Sequence, residues 1–88
     1  MSSRVESAPR LEVVRRAWRL SPRQLRVVEL LLTGASNKEI AGALQCAEVT
    51  VENHLTSVYR RSGARSRTDL VCRVFARAAI AASPEGGA

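Results

Sequence analysis

Positions 49, 52, 53, 56 and 60 share one arc of an α-helix, and the last four hold Glu52, Asn53, Thr56 and Arg60. These side chains match the edges of base pairs: Asn for adenine, Arg for guanine or phosphate, the Thr methyl for that of thymine, Glu for the N4 amine of cytosine. A merely solvated helix face carries the same residue types, so the surroundings must decide. They are basic. Lys and Arg number 14 against eight acids, a formal charge of +6, and all but Lys38 are arginine. Six of them, Arg60, Arg61, Arg65, Arg67, Arg73 and Arg77, fall between positions 60 and 77 beside one acid, Asp69. The forked guanidinium is suited to phosphate, so a polyanionic partner is expected.

Catalysis and metal chemistry find no support. His54 has no serine, cysteine and acid array at a usable spacing around it, and its helical position suits a phosphate contact or partial burial. Cys46, Cys72 and His54 cannot complete a four-ligand zinc site without a carboxylate, so the cysteines read as reduced, small hydrophobes. No metal, cofactor or enzymatic activity is expected. The N-terminus lacks an apolar leader core and no apolar run approaches 18 residues, so a membrane span is not expected and a cytoplasmic, nucleoid-associated location is.

The elements that must position these residues are helical. Eighty-eight residues with 45% hydrophobic content and only three aromatics make one small all-α domain, burying about 60% of its unfolded surface. Residues 1–9 and 83–88 are small, polar and Pro/Gly-bearing and read as disordered ends. Leu11, Val14 and Trp18 make 10–19 a short amphipathic helix or turn that lays Trp18 on the body.

Ser21-Pro22-Arg23-Gln24 is a capping box with proline at the first helical position, opening a helix that carries Leu25, Val28, Leu31 and Leu32 inward and stops at Gly34. Ser36-Asn37-Lys38-Glu39 repeats the box for a short helix to about Leu44, with Ile40 and Ala41 inward. Glu39 has a second reading, pairing with an arginine such as Arg67. After a tight turn at 45–47, Val51, Leu55, Val58 and Tyr59 set the inner face of a third helix from about 48 to 61, which Gly63 ends. Ser66 caps a fourth helix over 67–81 with two apolar stripes. Leu70, Val71, Val74, Phe75 and Ala78 serve the core, and Cys72, Ala76, Ala79 and Ile80 are left for a second partner.

Short helix, three-residue turn and longer helix form the pattern of a helix-turn-helix. The run resembles the DNA-binding domain of the LuxR/GerE family of bacterial transcription regulators, as in quorum-sensing receptors and NarL-type response regulators. The resemblance covers roughly residues 20–80. It rests on Leu20-Ser21-Pro22-Arg23, on Gly34 followed by Ser36-Asn37-Lys38-Glu39-Ile40-Ala41, on Thr50-Val51 with His54, and on Ser66-Arg67. It implies a four-helix domain whose third helix reads the major groove and whose fourth pairs two subunits on a two-fold operator.

The expected organisation is an extension at 1–19, a DNA-binding domain at 20–82 and a tail at 83–88. Glu52, Asn53, Thr56 and Arg60 then face bases. The backbone N–H of Asn37, with Lys38, Thr50, His54, Ser57, Arg61, Arg65 and Arg67, meets phosphates. Cys72, Ala76, Ala79 and Ile80 form the dimer interface. Three departures from the family pattern stand out: Ala47 where Ser or Thr usually caps the third helix, Glu52 where a basic residue is common, and Ser62 where a core leucine is usual. The expected function is sequence-specific binding of double-stranded DNA as a homodimer. The alternative is a protein-interaction module of the same fold, bound to another regulator and stripped of DNA affinity by Glu52. Met1 and the tail favour a stand-alone effector over the output end of a longer protein.

Overall fold

The computed structural model describes residues 11–82, with side chains described as far as Ala79. The ends read as disordered from the sequence, 1–9 and 83–88, and the side chain of Ile80 lie outside the described residues. Among the described residues every regular element is an α-helix: α1 (11–18), α2 (Pro22–Leu32), α3 (Asn37–Leu44), α4 (Glu48–Ser62) and α5 (Arg67–Ala82). The expected all-α helix-turn-helix order is present, with α3 and α4 as its two helices.

Local chemistry sets the boundaries. At α2, Ser21 Oγ accepts from the Gln24 N–H at 3.1 Å while Gln24 Oε1 accepts from the Ser21 N–H at 2.9 Å. Each bond satisfies a donor that the first turn of a helix would otherwise leave bare. Ser36 and Glu39 make the same reciprocal pair at 3.1 and 2.8 Å at the start of α3. Of the two sequence readings of Glu39 the structure keeps this one; the pairing with Arg67 is not formed, because Arg67 is engaged elsewhere. Gln45 in the left-handed region (φ 57°) ends α3, and Gly63 (φ 77°) ends α4, its N–H donating to the Tyr59 carbonyl at 2.9 Å. Ala47 at the head of α4 has the extended backbone of a cap but makes no side-chain cap bond.

The core lies between α2, α3 and α4, with α5 packed on α4. Val27, Val28 and Leu31 are its α2 contribution, Ile40 and Ala41 that of α3, and Val51, Leu55 and Val58 that of α4. Val27, not among the inward residues read from the sequence, is fully buried, whereas Leu25 and Leu32 are only half-buried at the margin. Helix α1 adds Val14 and Trp18 to the same core, and burial of a side chain such as Val14, at 0% exposure, is worth about 2 kcal/mol. Ser62, where a leucine was expected, is buried and satisfied locally. Its Oγ accepts from the Ala64 N–H at 3.1 Å and donates to the Tyr59 carbonyl at 3.4 Å.

Phe75 departs from its expected place. It is 61% exposed, so the core stripe of α5 is Leu70, Val74 and Ala78 with Val71 at its edge. The ring lies a quarter-turn from that stripe, beside an open groove bordered by Leu11 and Leu32, and no described helix covers it.

Candidate nucleic-acid interface

Burial of Val51, Leu55 and Val58 fixes the rotation of α4 and turns the opposite arc outward. Glu52, Asn53, Thr56 and Arg60 are all exposed on that arc. The Thr56 hydroxyl donates to the Glu52 carbonyl at 2.9 Å, which commits its proton to the helix and leaves its methyl and a lone pair for an incoming group. Among the described residues neither Glu52 nor Arg60 has an ion-pair partner. Val49, 58% exposed, lies on the arc where its position placed it, though it was not among the candidate contacts. An apolar residue on an otherwise polar arc was the signal for it, and it suits a thymine methyl.

One flank of α4 carries Thr50, His54 and Ser57, each half-buried, and then the exposed Arg61. Their spacing of four, three and four residues makes them a single row along the helix. Arg61 is not free at the end of that row: Nη1 donates to the carbonyl of Arg19. At the head of α3 the capping box takes the Ser36 and Glu39 N–H groups, so those of Asn37 and Lys38 remain as outward donors, beside the exposed Lys38 side chain.

Arg67 is the second arginine found at work inside the fold. Nη1 donates to Asn37 Oδ1 at 3.1 Å and Nη2 to the Ala35 carbonyl. These bonds tie α5 to the loop before α3 and leave the guanidinium half-buried, with N–H donors beyond the two so used. Arg65 keeps an exposed side chain, while its backbone N–H donates to Asp69 Oδ2 at 2.8 Å. That bond, and then the Arg73 guanidinium at 3.1 Å, hold the Asp69 carboxyl below its ordinary value of 3.8. Arg73 Nη1 also donates to the Ser62 carbonyl at 3.3 Å, so the pair locks the corner between α4 and α5.

On α5, Cys72, Ala76 and Ala79 are exposed, and so is Phe75 beside them. Among the described residues no three His, Cys, Asp or Glu side chains gather as a metal-binding group, and no described helix is long and apolar enough to cross a membrane.

Comparison with known proteins gives the same outline. The model of bacterial regulatory proteins of the luxR family, GerE, matches residues 19–74. YhjB of Escherichia coli is 47% identical over 49 residues, 56% of this chain and 24% of YhjB. Nodulation protein W of Bradyrhizobium diazoefficiens is 42% identical over 52 residues, 59% of this chain and 23% of that protein. The HTH-type transcriptional regulator MalT of Klebsiella pneumoniae is 32% identical over 68 residues, 77% of this chain and 8% of MalT. The chain thus spans a quarter or less of the length of these relatives. No solved structure matches it.

Proposed function

The chain belongs to the LuxR family of bacterial regulatory proteins, and from that premise we propose that it is a transcription regulator that binds double-stranded DNA in a sequence-specific manner, as a homodimer on a two-fold operator. One observation carries the reading. The exposed arc of α4 presents Glu52, Asn53, Thr56 and Arg60 together, a set of donors and acceptors with base-edge complements, in a chain of net charge +6.

In this reading α4 enters the major groove. Thr50, His54 and Ser57 follow one sugar-phosphate strand, and the free N–H groups of Asn37 and Lys38 hold a phosphate at the head of α3. Arg65 adds a cation at the corner, and Arg67 acts through Asn37, whose position it fixes. Cys72, Ala76, Ala79 and Ile80 on α5 form the subunit contact, with residues 20–82 as the binding unit and α1 packed on it. The protein works by binding and without catalysis, and its place is the cytoplasm, on the nucleoid.

Selection of bound duplexes from a random pool tests this. Enrichment of an inverted repeat is the expected outcome. Enrichment no better than for a scrambled control overturns it and favours the protein-interaction module, the reading supported by the unpaired negative charge of Glu52 on the outward arc of α4.

A further inference from the structure

The turn between α1 and α2 holds an arginine where a helix end normally calls for glycine. Arg19 has φ 56°, and around it the Leu20 N–H donates to the Arg15 carbonyl at 2.9 Å and the Arg19 N–H to the Arg16 carbonyl at 3.3 Å. This is the hydrogen-bond pattern of a left-handed helix end, which glycine makes without the steric cost that a side chain brings. The Arg19 side chain is exposed, and among the described residues its guanidinium has no hydrogen-bond or ion-pair partner. Neither packing nor pairing within the chain explains why that cost is borne.

The neighbourhood explains it. Arg61, at the last turn of α4, crosses 42 positions of sequence to donate to the Arg19 carbonyl, which brings the two arginines to one place. They border an open cleft of about 560 Å3, lined by Ala17, Trp18, Arg19 and Arg61, with no acid in its wall. Two cations beside one another without a carboxylate repel, and an anion between them reverses the sign of that interaction. The cleft also stands at the end of the row Thr50, His54, Ser57 and Arg61 along the flank of α4.

We propose that this cleft receives a phosphate of the DNA backbone, so that the α1–α2 turn extends the contact of α4 with one strand. The proposal rests on the DNA-binding reading above and deepens it. The two cations, Arg19 and Arg61, lie within the residues that the family model matches, 19–74, while Ala17 and Trp18 of α1, which complete the cleft wall, lie outside them.

Arg19→Gly separates binding from folding, because it relaxes the left-handed position while removing the cation. Wild type and variant are titrated with a random-sequence duplex over a range of salt, and their unfolding is followed by the emission of Trp18, the single tryptophan. The variant is expected to keep or raise the wild-type Tm. It should bind about tenfold more weakly near 0.1 M salt and show a log K against log salt slope shallower by about 0.9, the signature of one lost phosphate contact. Wild-type affinity and slope in the variant overturn the cleft alone. Wild type that binds no duplex overturns the DNA reading and the cleft with it. Inorganic phosphate is titrated separately. A saturable change in Trp18 emission on its addition, coupled with an unaltered duplex slope in the variant, assigns the cleft to a free anion and overturns the backbone contact.

Discussion

Arg67 Nη1 donates to Asn37 Oδ1 at 3.1 Å, joining the first residue of α5 to the first residue of α3. The same guanidinium holds the Ala35 carbonyl, so the end of α3 that offers free N–H groups is oriented from α5. Arg67→Met keeps the aliphatic stem and removes both bonds. A stability loss of about 1–3 kcal/mol in urea unfolding is expected, since bonds to a charged donor are the stronger kind. The salt slope of duplex binding should stay at the wild-type value, whereas a direct phosphate contact would cut it by about 0.9.

Asp69 makes stability fall in acid. Its folded pKa lies below the ordinary 3.8 because the Arg65 N–H and the Arg73 guanidinium favour the carboxylate. A carboxyl shifted down contributes stability that is complete above the unfolded value and disappears as pH falls through the folded one. Glu12, lowered by its hydrogen bond from Arg15, adds in the same sense. The urea midpoint of the wild type should therefore drop between about pH 5 and pH 2, and Asp69→Asn should flatten that drop without abolishing it. An undiminished drop in the variant would remove Asp69 from the account.

What the sequence made legible was local. The capping boxes at Ser21 and Ser36 span four residues each, and they fixed where α2 and α3 begin because every bonded atom lies within about one turn. The outward arc of α4 followed from periodicity alone. What it hid was long-range. Periodicity gives Phe75 an angle on α5, but whether that angle is covered depends on where α1 and α2 lie. Arg61 and Arg67 looked like free cations because their acceptors, the carbonyls of Arg19 and Ala35, are 42 and 32 residues away. Long side chains reach partners that no spacing rule encodes.

Ala47 stands in the cap position of α4 with φ −77° and ψ 152° and makes no side-chain cap bond. Its backbone already has the conformation a capping serine uses, so Ala47→Ser needs no rearrangement to reach the bare N–H groups of the first turn. The variant should gain about 1 kcal/mol, measured as a higher Tm, and amide exchange at the head of α4 should slow. A lower Tm would mean that the first turn of α4 differs from the geometry described.

The small exposed residues of α5 carry the proposed pairing of subunits. Cys72, Ala76 and Ala79 allow two helices to approach closely, and Phe75 stands beside them as an apolar edge. Ala76→Glu places a charge in that contact. Cooperative binding to an inverted repeat should weaken while helicity by circular dichroism is unchanged. Because one helix per subunit offers an interface near the small end of the range, sedimentation of the free wild-type chain should show monomer and dimer together. Unchanged cooperativity in Ala76→Glu would move the contact elsewhere.

Glu52 decides between the two readings of α4. It is exposed on the outward arc, and its carbonyl, not its carboxylate, is the group held by Thr56, so the charge stays free to meet a partner. Beside a phosphate backbone that charge repels, and only a donor such as cytosine N4 turns the repulsion to use. In the DNA reading, Glu52→Ala should lose about 1–3 kcal/mol of discrimination at one base pair of the selected site while affinity for scrambled duplex rises. In the protein-interaction reading the native chain binds no duplex, and Glu52→Lys should create an affinity that increases as salt is lowered. Titrating both variants against selected and scrambled duplexes separates these outcomes by sign. Silence of both substitutions on both duplexes would mean that Glu52 faces only solvent, and α4 would then have to read its partner through Asn53, Thr56 and Arg60 alone.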